Sequence, residues 1–336
     1  MNLPKSHRRS RLTWCLAAAL ALLVGMGVRA AIAEEAAPAA KAEPGPNAAK
    51  PAPEKARQPR PIPDDMELLR DVEYGKGGQT SLKLDILRLK KTPDQPMPVV
   101  AWIHGGAWSA GSKSQMPPQC QTLVRQGFLC VSVEYRFSQE AIFPAQIEDC
   151  KCAIRYLRAH AKEYRIDPDH IGVWGGSAGG HLVALLGVTA SAKDLEGKGG
   201  WENESSRVQA VVDFFGPADF VVLAKDPNAP QGGMGSPVAK LLGGKPSEKP
   251  ELAAQASPIT YVSKDAAPIL ICHGDKDPTV PLVQSETFYE ALKKAGVDAT
   301  LYVVKDAGHG FNSPEVNTVV IEFFQKHLKG AAPAAK

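Results

Sequence analysis

The stretch of sequence that decides the fold is Val173-Trp174-Gly175-Gly176-Ser177-Ala178-Gly179-Gly180-His181. The apolar residues 171–174 follow Asp167-Pro168-Asp169 and predict a buried strand after a turn, and the apolar residues 182–186 predict a helix. A strand that passes into a helix through one tight turn strains the residue at the centre of that turn. The neighbours of that residue must be small, and glycine at 175 and 179 with alanine at 178 meets this need.

Ser177 lies at the centre of this turn, and residues 175–179 match G-x-S-x-G, a pattern in which the serine acts as a nucleophile. The turn would lift the Ser177 hydroxyl above the sheet and direct it toward the helix N-terminus, which favours negative charge. A glycine-rich turn without any chemistry also matches this short pattern. The choice between the two interpretations depends on whether the chain also supplies a base, an acid and donors for an oxyanion.

Apolar runs alternate with helical patterns across residues 64–330, which we expect to form one domain. Strands are predicted at residues 71–74, 82–89, 99–103, 128–134, 171–174, 208–215, 269–272 and 299–304. Besides the helix after Ser177, helices are predicted at residues 119–126, 145–164, 284–295 and 316–328. This alternation predicts an α/β fold with a mostly parallel eight-stranded sheet, helices on both faces and a leading antiparallel pair of strands.

Residues 220–258 interrupt the alternation. They carry several prolines and the run Gly232-Gly233-Met234-Gly235, with only weak periodicity. Because this segment lies between two predicted core strands, it forms either a small cap over the functional site or a long surface loop.

The first 33 residues have the pattern of a signal peptide. An apolar run at residues 12–28 and a cleavage site at Ala31-Ile32-Ala33 follow four basic residues, Lys5, Arg8, Arg9 and Arg11. A membrane anchor is the alternative, but the run is short for a bilayer span and rich in alanine. We therefore expect export to the periplasm or the medium, with no membrane attachment after cleavage. Residues 34–63 predict a disordered Ala/Pro-rich linker and residues 331–336 a disordered tail.

The charge balance argues against some partners. The chain of 336 residues has a formal net charge of +3, but the leader holds five basic residues and no acidic one, so the mature chain is near −2. Neither nucleic acid nor an acidic membrane surface is therefore an expected partner.

Five cysteines remain in the mature chain, namely Cys120, Cys130, Cys150, Cys152 and Cys272. Cys150 and Cys152 are two residues apart on a predicted helix, so they point to different faces and cannot pair with each other. A disulfide from Cys120 to one of them would be compatible with export. The chain has no C-x-x-C motif and no ligand spacing typical of zinc, so we expect no metal.

Donors for an oxyanion are predicted within Trp102-Ile103-His104-Gly105-Gly106-Ala107-Trp108, which follows a buried strand. This stretch corresponds to the HGGG-type loop, so the N–H of Gly106 or Ala107 would act beside the N–H of Ala178. Ala107 replaces the last glycine of that pattern, a change that is harmless only if its φ is negative. We interpret His104 as scaffolding of the loop.

The predicted base is His309, which follows the last strand within Ala307-Gly308-His309-Gly310-Phe311. It is the histidine that fits the order Ser…Asp…His. The remaining histidines are assigned to the leader, to the surface or to structural hydrogen bonds, and they are His7, His160, His170, His327, His181 and His273.

Two aspartates compete for the role of the acid, in the stretch Ile271-Cys272-His273-Gly274-Asp275-Lys276-Asp277-Pro278. Asp277 lies deeper in the loop, and the prolines at 278 and 281 would stiffen its placement. We favour Asp277 and assign Asp275 a role in the turn, although spacing alone leaves both open.

Together these motifs resemble the α/β-hydrolase superfamily over residues 64–330, and within it the secreted esterases related to hormone-sensitive lipase. Residues 104–108, 175–181 and 273–277 are most similar to the bacterial carbohydrate acetyl-esterase and feruloyl-esterase branch, in which the second aspartate of H-G-x-x-D is the triad acid. The resemblance therefore implies Asp277. It also implies a serine esterase that forms an acyl-enzyme without metal or cofactor, on short acyl or aryl esters such as acetylated or feruloylated carbohydrate.

Other functions share parts of this pattern. A prolyl-oligopeptidase-type peptidase has the same elbow and residue order but usually carries a propeller before the hydrolase domain. An arylformamidase shares the HGGxW loop but is expected inside the cell. An inactive hydrolase fold used as a binding module typically lacks the nucleophile or the base.

The aromatic residues Trp108, Tyr135 and Trp174 are assigned either to the substrate pocket or to ordinary core packing.

Overall fold

The computed structural model describes residues 61–225 and 236–329. The predicted signal peptide, most of the predicted linker and the predicted tail lie outside these residues. Among the helices that the structure describes, none is long and apolar enough to cross a membrane.

One sheet of eight strands forms the centre of the domain. In chain order the strands are β1 (Met66–Gly77), β2 (Thr80–Leu89), β3 (Met97–Ile103), β4 (Leu129–Val133), β5 (Ile166–Gly176), β6 (Ala210–Phe214), β7 (Ile269–Gly274) and β8 (Ala299–Val304). Their order across the sheet is β1-β2-β4-β3-β5-β6-β7-β8. The β1–β2 and β2–β4 pairs are antiparallel and the other five pairs are parallel. The predicted α/β fold with a mostly parallel eight-stranded sheet is confirmed.

Helices pack on both faces of this sheet. Within the described residues they are α1 (Gln119–Arg125), α2 (Ala145–Ala159), α3 (Ala161–Tyr164), α4 (Ala178–Val188), α5 (Phe220–Leu223), α6 (Pro237–Leu242), α7 (Pro250–Gln255), α8 (Val283–Lys294) and α9 (Pro314–Lys329). Val99 and Val100 of β3 alternate between two apolar clusters, as successive strand residues must. The first cluster buries side chains of α2, α4 and α8, and the second buries those of α1 and α9.

The structure differs from the prediction around residues 160–170. The predicted helix over 145–164 is divided at His160, which separates α2 from α3, and Arg165 ends α3 in a left-handed conformation with φ 56°. Asp167-Pro168-Asp169 was expected as a turn but lies inside β5, where the register with β3 shifts between Met97 and Val99. The side chain of Asp167 still makes the local hydrogen bond that is typical of such a turn, because its Oδ1 accepts from the Asp169 N–H at 3.0 Å.

The segment 220–258 contains three short helices, α5 to α7, on either side of residues 226–235, which lie outside the described part. Side-chain caps begin two of these helices, because Asp219 accepts from the Val221 and Val222 N–H groups and Ser236 accepts from the Ala239 N–H. Apolar side chains of all three helices are buried. The segment is therefore partly helical and anchored to the domain, whereas its role as a cap stays a prediction.

All five cysteines are buried and none forms a disulfide in the structure. A bridge from Cys120 to Cys150 or Cys152, which the sequence left open, is absent for a simple geometric reason. Cys120 belongs to the apolar cluster of α1 and α9, whereas Cys150 and Cys152 belong to the cluster on the opposite face of the sheet. The sheet therefore separates the Cys120 thiol from the other two.

A buried ion network ties α2 to the loop before β6. The side chains of Lys151 and Arg155 are 0% and 1% exposed, and each donates to the Glu196 carboxylate at 2.7 Å. Lys151 also donates to the Thr189 carbonyl, and Arg155 to the Gly200 carbonyl. A single carboxylate thus offsets two buried cations, so its loss should leave uncompensated charge in the core.

A second buried carboxyl, that of Asp213, lies on β6. Its Oδ1 accepts a hydrogen bond from the Gly216 N–H at 2.9 Å, and the residue is 1% exposed. Burial raises the pKa of Asp213 to about 7. The neutral acid is therefore favoured in the folded chain over part of the physiological pH range.

Glu196→Gln should lower the free energy of unfolding by on the order of 3 kcal/mol, because Lys151 and Arg155 lose their counter-charge. The measurement is urea denaturation at neutral pH. The matched control is Glu248→Gln, which removes an exposed ion pair with Lys245 at 3.3 Å and should cost less than about 1 kcal/mol. Equal losses in the two variants would show that the buried network contributes no more than a surface pair.

Asp213→Asn should change the pH dependence of stability. Since burial raises the pKa of Asp213 from 3.8 to about 7, the folded wild type binds more protons than the unfolded chain between those values. Its free energy of unfolding therefore falls as pH rises through that window, by up to roughly 4 kcal/mol at about 1.4 kcal/mol per pH unit.

The asparagine side chain keeps an oxygen for the Gly216 N–H but cannot ionise. The stability of the variant relative to wild type should therefore rise between about pH 4 and pH 7. Urea titrations at several pH values measure this difference, and a difference that stays constant with pH would contradict the assignment.

Candidate active site

Ser177 lies at the tight turn between β5 and α4, with φ 56° and ψ −120°. Its N–H donates to the Phe214 carbonyl at 2.8 Å, which fixes the turn against the end of β6. A Cβ atom at Gly179 would lie 2.1 Å from the Ile103 carbonyl oxygen, and one at Gly175 would lie 2.4 Å from the Gly179 carbonyl oxygen. The absence of side chains at these two positions is therefore what lets the strand, the turn and the helix approach one another.

His309 connects the serine to an acid. Its Nε2 lies 2.8 Å from Ser177 Oγ, and its Nδ1 lies 2.7 Å from Asp277 Oδ2. Because a carboxylate accepts, Nδ1 carries the proton and Nε2 is left to accept from the serine hydroxyl. The structure thus brings together Ser177, His309 and Asp277 from the ends of β5, β8 and β7.

Asp277 is held by the backbone of its own loop. Its side chain is 0% exposed, and Oδ1 accepts from the N–H groups of Thr279 and Val280 at 2.7 and 3.0 Å. Asp275, the other candidate, is exposed, and its Oδ1 accepts from the Asp306 N–H at 2.6 Å. Asp277 therefore contacts the histidine, whereas Asp275 joins two loops.

His273 touches the same carboxylate. Its Nε2 lies 2.9 Å from the Val280 carbonyl oxygen and 3.2 Å from Asp277 Oδ2, while its Nδ1 lies 2.6 Å from Ser285 Oγ. Burial lowers the pKa of His273, which favours the neutral ring. Its Nε2 then donates a hydrogen bond, and its Nδ1 accepts a hydrogen bond from the Ser285 hydroxyl. The sequence marked His273 as structural, but nothing in the sequence pointed to Ser285.

The loop after β3 adopts a left-handed turn. Gly106, Ala107 and Trp108 have φ values of 113°, 55° and 53°, and the N–H groups of Ser109 and Ala110 close the turn on the Gly106 carbonyl. The condition of a negative φ at Ala107 is therefore not met. Each non-glycine residue in this conformation costs about 1–2 kcal/mol, which the contacts of the loop must offset.

This loop lies against the serine turn. A Cβ atom at Gly105 would be 3.5 Å from the Ser177 Cβ and 2.7 Å from the Gly176 carbonyl oxygen. The N–H groups of Gly106, Ala107 and Ala178 form no hydrogen bond to any residue that the structure describes. Three backbone donors near Ser177 are thus free to bind another group.

The three aromatic residues predicted for a pocket or for the core are all buried. Trp174 packs on Trp102 at 5.1 Å between ring centroids, on the face of the sheet that α1 and α9 cover. Tyr135 stacks on the His104 ring at 4.5 Å and donates to the His104 carbonyl, and Trp108 is 3% exposed. These contacts favour ordinary core packing of the three rings over a substrate pocket, because little of their surface is exposed.

The partly exposed aromatic residues beside the histidine are Phe215 and Phe311, which the sequence analysis did not identify. The Phe215 ring lies 4.6 Å from the His309 ring, and the Phe311 ring lies 5.4 Å from that of Phe215. Phe215 has φ 43°, a conformation that is rare for a bulky residue. The position of Phe311 two residues after His309 was the signal available in the sequence.

Known proteins similar to this chain include esterases. Residues 84–292 match the family described as BD-FAE. The esterase LipQ of Mycobacterium tuberculosis is 36% identical over 245 residues, which cover 72% of this chain. The chain spans only 57% of the length of LipQ.

Two solved structures are also similar. A truncated form of a carbohydrate esterase from gut microbiota has a TM-score of 0.72 and 36% identity, over 80% of this chain and 99% of that one. A butyrate-bound thermophilic esterase from the Planctomycetes species Thermogutta terrifontis has a TM-score of 0.67 and 27% identity, over 81% and 97%. The chain therefore belongs to the BD-FAE family and has the α/β-hydrolase fold of these esterases.

Proposed function

We propose that this protein is a carboxylic ester hydrolase in which Ser177, His309 and Asp277 form the catalytic triad. The observation that carries the proposal is the position of His309, within 2.8 Å of the Ser177 hydroxyl and 2.7 Å of the Asp277 carboxylate. A hydroxyl, an imidazole and a buried carboxylate in this order are the groups that acyl transfer requires.

In the first half of the reaction, Ser177 Oγ attacks the ester carbonyl carbon while His309 Nε2 takes the hydroxyl proton. Asp277 keeps the proton on Nδ1 and stabilises the imidazolium that forms. The negative charge on the former carbonyl oxygen is met by the Ala178 N–H together with that of Gly106 or Ala107. His309 then gives its proton to the leaving alcohol, and the acyl group stays on Ser177.

In the second half, water takes the place of the alcohol. His309 removes a proton from the water as it attacks the acyl carbon, and a second tetrahedral intermediate forms with the same backbone donors. Its collapse releases the carboxylic acid and returns the proton to Ser177 Oγ. Every step uses side chains and backbone groups of this chain and needs no other catalytic group.

The proposed substrates are short acyl or aryl esters, such as acetylated or feruloylated carbohydrate. Membership of the BD-FAE family and the likeness to a carbohydrate esterase from gut microbiota support this class. The butyrate in the similar Thermogutta esterase supports a short acyl group. Phe215 and Phe311 would offer an apolar wall beside His309.

We also propose that the enzyme is exported. The basic residues, apolar run and A-x-A-like site of residues 1–33 support cleavage after Ala33. N-terminal sequencing of the protein from periplasm and medium tests this, and a chain that stays in the cytoplasm with its leader intact would contradict it.

Ser177→Ala should lower kcat for p-nitrophenyl acetate by on the order of 10⁴-fold or more, because the acyl-enzyme cannot form. Circular dichroism of both proteins checks that the variant folds. If the folded variant hydrolyses the ester as fast as wild type does, the triad is wrong. If wild type itself is inactive on this ester, on acetylated xylan and on methyl ferulate, the peptidase, formamidase and binding-module alternatives take precedence.

Asp277→Asn should lower kcat by about 10⁴-fold, because the amide favours the wrong tautomer of His309. The matched control is Asp275→Asn, two residues away in the same loop, which leaves the His309 contacts intact and should keep kcat close to the wild-type value. Steady-state kinetics on p-nitrophenyl acetate measure both variants. A larger loss in the Asp275 variant would reverse the assignment of the acid.

A further inference from the structure

His181 is a buried histidine outside the triad whose two nitrogen atoms contact two different segments. It lies in the first turn of α4, and its N–H donates to the Ser177 carbonyl at 2.9 Å. Its ring Nδ1 lies 3.2 Å from Trp108 Nε1, in the loop after β3. Its Nε2 lies 2.7 Å from the carbonyl oxygen of Ala256, directly after α7.

The partners fix the tautomer of this ring. An indole N–H can only donate, so Nδ1 of His181 must accept, and a carbonyl oxygen can only accept, so Nε2 must carry the proton. His181 is 0% exposed, and this burial lowers its pKa to about 4. The ring is therefore neutral at neutral pH, with one acceptor and one donor in fixed places.

Trp108 is the partner that links His181 to the reaction. It directly follows Ala107, and both residues have the left-handed φ values that strain the loop. The Trp108 carbonyl accepts from the Ser138 N–H at 2.8 Å, and its ring packs edge-on against the rings of His181 and Phe220. The side chain of this strained residue is held by the hydrogen bond from its indole N–H to His181 Nδ1.

The segment after β6 completes the arrangement. Phe220 of α5 packs at 5.0 Å from the His181 ring, and its N–H donates to Ser257 Oγ at 2.9 Å. Because Ser257 follows Ala256, the same short stretch of backbone contacts both α5 and His181. The ring of His181 thus lies between the serine helix, the loop after β3 and the segment that contains α5 to α7.

We propose that His181 is a positioning residue for the loop after β3, which supplies the oxyanion donors. It holds this loop in its left-handed conformation through Trp108 and couples the loop to the backbone at Ala256, directly after α7. The inference rests on the proposed acyl transfer at Ser177. It assigns His181 no proton transfer and no contact with the substrate. Its effect is on where the Gly106 and Ala107 N–H groups point when the oxyanion forms.

Removal of the ring nitrogens should therefore act on the transition state rather than on substrate binding. His181→Phe keeps an aromatic ring but cannot accept from Trp108 or donate to Ala256. We expect it to lower kcat about 100-fold, the scale seen for loss of one oxyanion donor, with KM changed by less than about threefold. Affinity for a trifluoromethyl ketone, which forms a tetrahedral oxyanion on the serine, should fall by the same factor as kcat/KM.

Three further variants separate positioning from general stability. His181→Asn offers a side-chain oxygen where Nδ1 lies, so it should restore most of the kcat lost in the phenylalanine variant. Trp108→Phe removes the same bond from the other side, so its effect should not add to that of His181→Phe. Val183→Ala is the matched control, because it loosens the same helix from a fully buried position and keeps the Trp108 bond.

The outcomes distinguish this inference from the proposed function. If wild type is active and Ser177→Ala is not, but His181→Phe behaves like Val183→Ala in kcat and ketone affinity, the positioning role is wrong and the triad stands. Additive effects of the Trp108 and His181 variants, or a loss confined to KM, would also overturn it. If wild type and Ser177→Ala hydrolyse esters equally, the proposed function fails, and this inference fails with it.

Discussion

The rest of the site depends on one backbone constraint, the left-handed conformation of Ser177 between β5 and α4. It requires the end of β3 to approach α4 so closely that a Cβ atom at Gly179 would lie 2.1 Å from the Ile103 carbonyl oxygen. That approach brings the loop after β3 against the serine. Ser177 and the free backbone N–H groups of the loop after β3 therefore come together as one packing arrangement.

Asp277 and His309 reach this turn because parallel strands end at the same edge of the sheet. Their side chains are then fixed by hydrogen bonds to backbone and to buried polar groups, as the contacts of Asp277 with Val280 and His273 illustrate. His181 and His273 are both fully buried, and the two ring nitrogens of each hydrogen-bond to two different residues. His309 differs because its side chain is 21% exposed and faces the serine.

Local patterns in the sequence were sufficient for the sheet and for the serine turn, whereas the choice of Asp277 over Asp275 also needed the family resemblance. They could not decide features that depend on contacts distant in sequence. The left-handed φ values of Ala107 and Trp108 occur where Trp108 hydrogen-bonds to Ser138 and His181, which are distant in sequence. Cys120 and Cys150 lie on opposite faces of the sheet because strand order and register decide which helix covers which face.

The shared carboxylate of Glu196 has a consequence for how this sequence can diverge. Lys151 and Arg155 both depend on it, so a neutral residue at position 196 leaves two buried cations without a counter-charge, whereas a neutral residue at position 151 or 155 leaves one balanced ion pair. Such positions are strongly coupled, and the effect of one substitution depends on the residues at the other two. Descendants of this chain should therefore lose Lys151 or Arg155 more readily than Glu196, whereas either residue of an exposed pair such as Lys245 and Glu248 can change alone.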